Sequence, residues 1–161
     1  GKVDRITGAM RDAKWRIREA LSDIEGLGFR HIVDPAGDSG PFLITTYRDG
    51  DTARRFTEAL RAEGIRGPEG SLSCISMSEW GLHWYFNNAS LVEKRSLSAE
   101  GFPWTHPANA FAADIKYHRG LLPICDEMSE RAALLTIASC LTDKDVDDIV
   151  TAFRKVARAI L

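Results

Sequence analysis

The chain has 161 residues, of which 44% are hydrophobic and 27% are charged, and its formal net charge is −2. This predicts one globular domain with a sizeable core and excludes a disordered chain, a collagen-like chain and a small disulfide scaffold. The near balance of acidic and basic residues predicts no nucleic-acid partner, and the absence of a signal-peptide pattern or a roughly 20-residue apolar stretch predicts a cytoplasmic protein with no membrane partner.

The first segment has the pattern of one long amphipathic helix. Apolar residues recur at intervals of three and four from Ile6 to Ile24, which places them on one face. Charged residues, Lys14 among them, occupy the other positions. Gly26 and Gly28 are expected to stop the helix.

Two strand candidates follow this helix. Residues 29–33 and 42–47 are rich in apolar and β-branched side chains. The segment between them, 34–41, is rich in Gly, Pro and Asp, which favours a turn. The pair is therefore predicted to form antiparallel neighbours.

Two later segments carry helix-capping signals. Asp51 or Thr52 is expected to cap a second helix, which Gly64 ends. In the last helix Thr142 is the expected N-cap, and Asp145 three residues on completes an acidic variant of the capping box.

The remaining elements decide the fold class. Residues 132–138 are predicted to form a buried strand, and Ile65 is a candidate for a short one, whereas the aromatic-rich region 71–111 is irregular. The order indicates an α/β fold in the broad sense, α+β-like, with a small antiparallel or mixed sheet flanked by helices.

Residues 37–40 read Gly-Asp-Ser-Gly, which is also found around the nucleophile of chymotrypsin-like proteases. A serine nucleophile needs a histidine base and a group that orients the base. Because the chain has too few strands for two barrels, a turn is the favoured interpretation. A hydrolase acting through Ser39 requires a histidine within hydrogen-bond reach of its hydroxyl.

The three cysteines are widely spaced and include no C-x-x-C pair. Structural zinc sites usually take their ligands as close pairs, so no metal site is expected. The prediction is three reduced, mostly buried thiols.

Aromatic and histidine residues concentrate between His83 and His118. Irregular loops of this composition are common walls of small-molecule sites, although simple packing against the core gives the same pattern. A shared pocket built from some of these residues is one hypothesis, and plain core packing is the other.

The C-terminal half resembles the end of the DegT/DnrJ/EryC1/StrS sugar aminotransferases. The matching segments are a Y-x-x-G-x-x-P element at 117–123, Asp126, Glu127 and Arg131, a short apolar strand at 134–137, and an L-T-x-x-D helix start from 141. Upstream, residues 51–65 are similar to that family's F-x-x-x-L-x-x-x-G-I helix and turn.

The resemblance implies one part of a larger enzyme. Members of this family are fold-type I pyridoxal-phosphate (PLP) proteins with a large cofactor domain and a small C-terminal domain. Residues 1–25 would be the connecting helix and 29–161 the small domain. The family's lysine that holds PLP lies shortly before a Gly-Glu-Gly-Gly element, which does not occur here. We therefore expect no catalytic or cofactor-binding residue in this chain and no activity by the chain alone.

The resemblance also implies substrates and site residues. The expected reaction moves an amino group from an amino acid such as Glu or Gln to a keto sugar or cyclitol, in a homodimer, as in aminosugar biosynthesis. The residues expected to line the substrate wall are Trp104, His106 and Tyr117, with His83 behind them. The alternative is a freestanding, non-catalytic module that binds a sugar or a protein partner.

Overall fold

A computed structural model describes residues 1–69, 71–81 and 84–161. The chain divides into two compact units, residues 1–79 with 127–161 and residues 80–126. The helices are α1 (Lys2–Ala20), α2 (Gly50–Ala62), α3 (Ala89–Val92), α4 (Pro123–Glu130) and α5 (Asp143–Ile160). The strands are β1 (Gly28–Phe29), β2 (Phe42–Thr46), β3 (Cys74–Ser76) and β4 (Ala132–Thr136).

The first unit is a four-stranded sheet covered by three long helices. Its strand order is β1-β2-β4-β3, and every neighbouring pair is antiparallel. Helix α5 packs against α1 and α2. The helices and one sheet face enclose a core that includes Ile17, Leu43, Phe56, Leu135 and Phe153. The predicted fold class is confirmed, and the sheet is antiparallel throughout.

Helix α1 ends earlier than the apolar spacing predicts. It stops at Ala20, not at Gly26. The amides of Leu21, Ile24 and Leu27 then bond to carbonyls three residues back. Turns with hydrogen bonds between residues three apart repeat every three residues. The side chains of Leu21, Ile24 and Leu27 therefore keep facing the core after the α-helix has ended.

The strands differ from the predicted ones chiefly in length. The antiparallel pair between 29–33 and 42–47 is confirmed, but β1 covers only Gly28 and Phe29, and Val33 is almost fully exposed. Ile65 lies outside any strand, because its amide bonds to the Leu60 carbonyl at the end of α2.

Strand β3 falls in the region predicted to be irregular. Three residues are too few to display an alternating pattern, and all three of its side chains are buried. Its pairing with β4, which joins Ile75 to Leu134, is a long-range contact that local composition does not encode.

The capping predictions have different outcomes. Thr142 caps α5, and Asp145 completes the capping box as predicted. Helix α2 is capped two or three residues earlier than expected, by Asp49, whose carboxylate accepts from the Thr52 amide at 2.8 Å. This hydrogen bond is the largest cause that lowers the pKa of Asp49.

The second unit has little regular structure apart from α3, part of α4 and a 3-10 helix at Pro107–Ala113. Backbone turns and side-chain caps hold it together instead. The Leu97 amide donates to the Phe102 carbonyl at 2.7 Å, and the Thr105 amide donates to Gly101 at 2.8 Å. All the described site candidates lie in this unit.

Candidate functional site

Trp104 and Tyr117 are brought together by the fold of the second unit. Their ring centroids are 5.9 Å apart and the ring planes are 75° apart, which is an edge-to-face contact. Trp104 is buried, and its indole nitrogen donates to the Arg95 carbonyl at 3.1 Å. Tyr117 is half-buried. Trp104 is therefore a fixed support against which the Tyr117 ring rests.

His106 has a capping role at the start of the 3-10 helix. Its Nδ1 accepts the Ala108 amide at 3.1 Å. Its ring packs on Phe102, with centroids 4.5 Å apart. Because Nδ1 is occupied as an acceptor, Nε2 is the ring nitrogen left for a ligand.

The fourth predicted site residue, His83, lies outside the described residues. In the structure Trp104 is thus in direct contact with Tyr117. His106 follows Trp104 by two residues in the same loop. Whether the four residues form one wall remains a prediction.

The sequence reading overlooked one contact in this unit. The hydroxyl of Tyr85 donates to the carboxylate of Asp126, with oxygen distances of 3.1 and 2.9 Å. Asp126 is buried. No local signal joins residues that lie 41 positions apart, although Asp126 follows the Y-x-x-G-x-x-P element that carries the family resemblance.

The Gly-Asp-Ser-Gly segment is a structural loop that is anchored on α1. Lys14 is buried, contrary to the prediction that it lies on the polar face, and its ammonium contacts Asp38 at 2.5 Å. Asp38 also accepts the Gly40 amide at 3.2 Å. A Cβ on Gly40 would lie 2.4 Å from the Arg11 amide nitrogen, so only glycine allows this close approach.

The geometry gives no support to a nucleophilic role for Ser39. The side chain is exposed. Among the residues that the structure describes, none of His31, His106 and His118 is hydrogen-bonded to its hydroxyl, and the last two bond instead to Ala108 and Arg119. The Asp38 carboxylate is already committed to Lys14, so a serine hydrolase is not supported.

The cysteines differ from one another in burial. Cys74 is buried, Cys125 is half-buried and Cys140 is exposed, so the prediction of mostly buried thiols is wrong for Cys140. Burial raises the pKa of the Cys74 thiol to about 11, which disfavours a reactive thiolate there. Within the described part of the chain, no group of three or more His, Cys, Asp or Glu residues could hold a metal ion.

A groove of about 650 Å³ lies in the first unit, between the end of α2 and α5. An ion pair between Lys155 and Glu63, at 2.7 Å, forms part of its lining. None of Trp104, His106 and Tyr117 is among the residues that line this groove.

Three solved structures share this fold, and two of them are described as aminotransferases. Aminotransferase TlmJ from Streptoalloteichus hindustanus matches 98% of this chain with a TM-score of 0.62 and 18% identity. DesV from S. venezuelae, solved with a ketimine intermediate, matches 96% with a TM-score of 0.59 and 17% identity. A DegT DnrJ EryC1 StrS aminotransferase from Brucella abortus matches 93% with a TM-score of 0.53 and 16% identity.

The predicted resemblance to the DegT/DnrJ/EryC1/StrS aminotransferases is thus confirmed at the level of the fold. No protein-family model matches the chain. The chain spans 33%, 32% and 31% of the three matched structures, which is about a third of each. Two thirds of each matched enzyme therefore has no counterpart in these 161 residues.

The six lysines of this chain are either bonded to another group or exposed. A PLP site needs a lysine amine together with phosphate donors and a partner for the pyridine nitrogen. Lys14, Lys144 and Lys155 are paired with carboxylates, and Lys94 donates to the Ala113 carbonyl. The other two, Lys2 and Lys116, are exposed.

None of the helices in residues 1–69, 71–81 and 84–161 combines the length and the apolar character that a membrane crossing requires.

Proposed function

We propose that this chain is the small C-terminal domain of a PLP-dependent aminotransferase. In this proposal residues 1–25 connect to a large domain that holds PLP through its lysine, and residues 29–161 help to enclose the substrate. The enzyme transfers an amino group from Glu or Gln to a keto sugar or cyclitol, and it is a homodimer in the cytoplasm. The chain alone is inactive.

The observation that carries the proposal is the extent of the fold match. Almost the whole chain, 98%, superposes on only 33% of an aminotransferase. A piece that matches about a third of each of several enzymes is expected to have the role of that third in a larger protein. The motifs at 51–65 and 117–149 agree with it in their order along the chain.

Exposed apolar side chains in the second unit support the same proposal. A free-standing module would be expected to have a closed, polar surface. Residues 80–126 instead expose large hydrophobic side chains, with Leu97 at 89%, Ile124 at 74% and Phe111 at 71%. Further exposed members are Val92, Phe102, Leu121 and Leu122. A large domain that covers this surface would remove it from water.

Within this proposal Trp104, His106 and Tyr117 contribute to the substrate wall, with His83 behind them. Tyr117 offers a half-buried ring and a hydroxyl to a sugar, and the contact with the Trp104 ring holds that ring in place. Aromatic faces suit the apolar face of a sugar ring, while hydroxyl and imidazole groups bond to its hydroxyls. His106 reaches the ligand through Nε2.

Amino transfer by the complete protein that contains this chain tests the proposal. With PLP and Glu or Gln present, we expect a keto cyclitol to be converted to the amine, detected by mass spectrometry, with release of the matching 2-oxo acid. Tyr117→Ala is expected to raise the KM for the keto substrate about tenfold because a wall contact is lost.

The matched control is Tyr47→Phe, since the Tyr47 hydroxyl bonds only within the core, to Thr45 at 3.0 Å. This variant is expected to lower stability and leave KM unchanged. Failure of the wild-type protein to transfer amine from either donor to any keto sugar or cyclitol would overturn the proposal and favour a non-catalytic sugar- or protein-binding module.

A further inference from the structure

A buried carboxylate connects three separate segments of the second unit. Asp126 accepts the hydroxyl of Tyr85, at 3.1 and 2.9 Å, and the backbone amide of Gly120, at 2.7 Å. The Asp126 amide in turn donates to the Leu122 carbonyl at 3.0 Å. One side chain thereby holds residue 85, the 117–122 loop and the first turn of α4 together.

The Tyr85 hydroxyl connects the carboxylate to the far end of the loop. It donates its proton to Asp126, and it accepts the Leu122 amide at 3.1 Å. A phenol has one proton to donate and oxygen lone pairs that accept, so this hydroxyl acts as donor and acceptor at once. The loop amides of Gly120 and Leu122 are held by two side chains that bond to each other.

The same loop is supported from a second direction. The Phe86 ring meets Tyr85 edge to face, with centroids 5.1 Å apart, and the Arg119 guanidinium lies 5.5 Å from the Phe86 ring centroid. Gly120 has a φ of +95°, a conformation that favours glycine. The loop is therefore fixed in one shape along residues 119–122.

Tyr117 is the first residue of this loop, and its ring contacts the ring of Trp104. We infer that Tyr85 and Asp126 are positioning residues for substrate binding: they hold the 117–122 loop in the conformation that presents Tyr117 to the keto substrate. This inference rests on the proposed function. A substrate wall that is ordered before binding loses less conformational entropy when the substrate binds. An ordered 117–122 loop is therefore expected to raise the affinity for the keto substrate.

Amide hydrogen exchange of the chain 1–161, measured by NMR, tests the loop without any activity. Tyr85→Phe removes the acceptor of the Leu122 amide but leaves the Asp126 acceptor of the Gly120 amide. If the loop is one unit, exchange at both amides is expected to accelerate by at least about tenfold. Faster exchange at Leu122 alone would overturn the inference. Tyr47→Phe, the same chemical change in the core, is expected to leave both amides unchanged.

Kinetics of the complete protein test the link to the substrate. Tyr85→Phe is expected to raise the KM for the keto substrate about tenfold with kcat within about twofold of wild type. A purely structural role would instead lower kcat with the folded fraction and leave KM unchanged, which is the pattern expected of Tyr47→Phe. Asp126→Asn, which weakens the same hydrogen bonds, is expected to repeat the KM effect.

The outcomes separate this inference from the proposed function. Amino transfer by the wild type with an unchanged KM in Tyr85→Phe and Asp126→Asn would overturn the inference and leave the proposed function standing. No amino transfer by the wild type would overturn both.

Discussion

Lys14 shows how a charged residue can belong to the core of this protein. Its side chain is 2% exposed and that of Asp38 is 9% exposed. An isolated buried ammonium is strongly unfavourable, so it requires a partner at contact distance. Asp38 provides it from the loop between β1 and β2. The position of Lys14 was unpredictable because its partner lies 24 residues away.

Removal of one member of this pair is expected to be costly. Asp38→Asn leaves the Lys14 ammonium buried without a counter-charge, and the free energy of unfolding should fall by about 3 kcal/mol. Urea unfolding of the chain 1–161 measures this. The double variant Lys14→Met/Asp38→Leu replaces the pair with apolar side chains and should recover most of the loss. If Asp38→Asn were as stable as wild type, the buried ion pair would not have the stabilising role assigned to it here.

The same ion pair makes the stability of the protein depend on pH, and the direction of that dependence can be predicted. Burial opposes ionisation of Asp38, but the bonds from Lys14 and Gly40 outweigh it, so its pKa is lowered from 3.8. A lowered folded-state pKa stabilises the protein above the unfolded value, and this contribution is lost as the pH falls through the folded value. Wild type should therefore lose more stability than Lys14→Met/Asp38→Leu on acidification below about pH 4. If the free energy of unfolding of the two proteins fell equally with pH, the pH dependence would not come from Asp38.

In the second unit, the sequence could name only candidate residues for a binding site. The aromatic and histidine content indicated a candidate site in the 83–118 region, and that site stays a prediction, because the contact of Trp104 with Tyr117 is also expected of plain packing. The bond from Tyr85 to Asp126 could not be found, because nothing in the local pattern of either residue indicates the other.

At the scale of elements, the prediction was most accurate where local chemistry decides the structure. Helix α5 has a full apolar stripe and a capping box within four residues, so both its start and its buried face were predictable. The start of α2 was displaced because Asp49, Asp51 and Thr52 all have side chains that can cap a helix, and Asp49 is the one that does.

The capping box of α5 is expected to stabilise the protein measurably. The Thr142 hydroxyl accepts the Asp145 amide at 3.2 Å, and the Asp145 carboxylate bonds back to Thr142 at 2.7 Å. Thr142→Ala should lower the free energy of unfolding by about 1 kcal/mol, measured by urea unfolding. Thr151→Ala is the control in the same helix, since that exposed hydroxyl bonds only back to the Asp147 carbonyl. Equal losses in the two variants would show that the box contributes nothing.

Short strands mark the limit of prediction for elements. Strands β1 and β3 contain two and three residues, and such lengths carry no periodicity to detect. Their positions are set by pairing with β2 and β4, which are longer and were recognised from composition.

At the scale of the molecule, the fold class and the resemblance could be predicted, because they depend on the order of several patterns along the chain. The fold matches three solved structures at only 16–18% identity. Under the proposed function, the identity of the substrate would depend on a few side chains whose partners lie far away in sequence. Sequence patterns could not supply it.

A PLP titration tests the central claim most directly. We expect the complete protein that contains this chain to develop the absorbance of lysine-bound PLP and to retain the cofactor irreversibly after borohydride reduction. The chain 1–161 should show neither change at a one-to-one ratio of PLP to protein, because in this account the lysine that holds PLP lies in the large domain. Absence of PLP binding by the complete protein would contradict the aminotransferase assignment, and covalent binding by the chain alone would contradict the division of roles between the two domains.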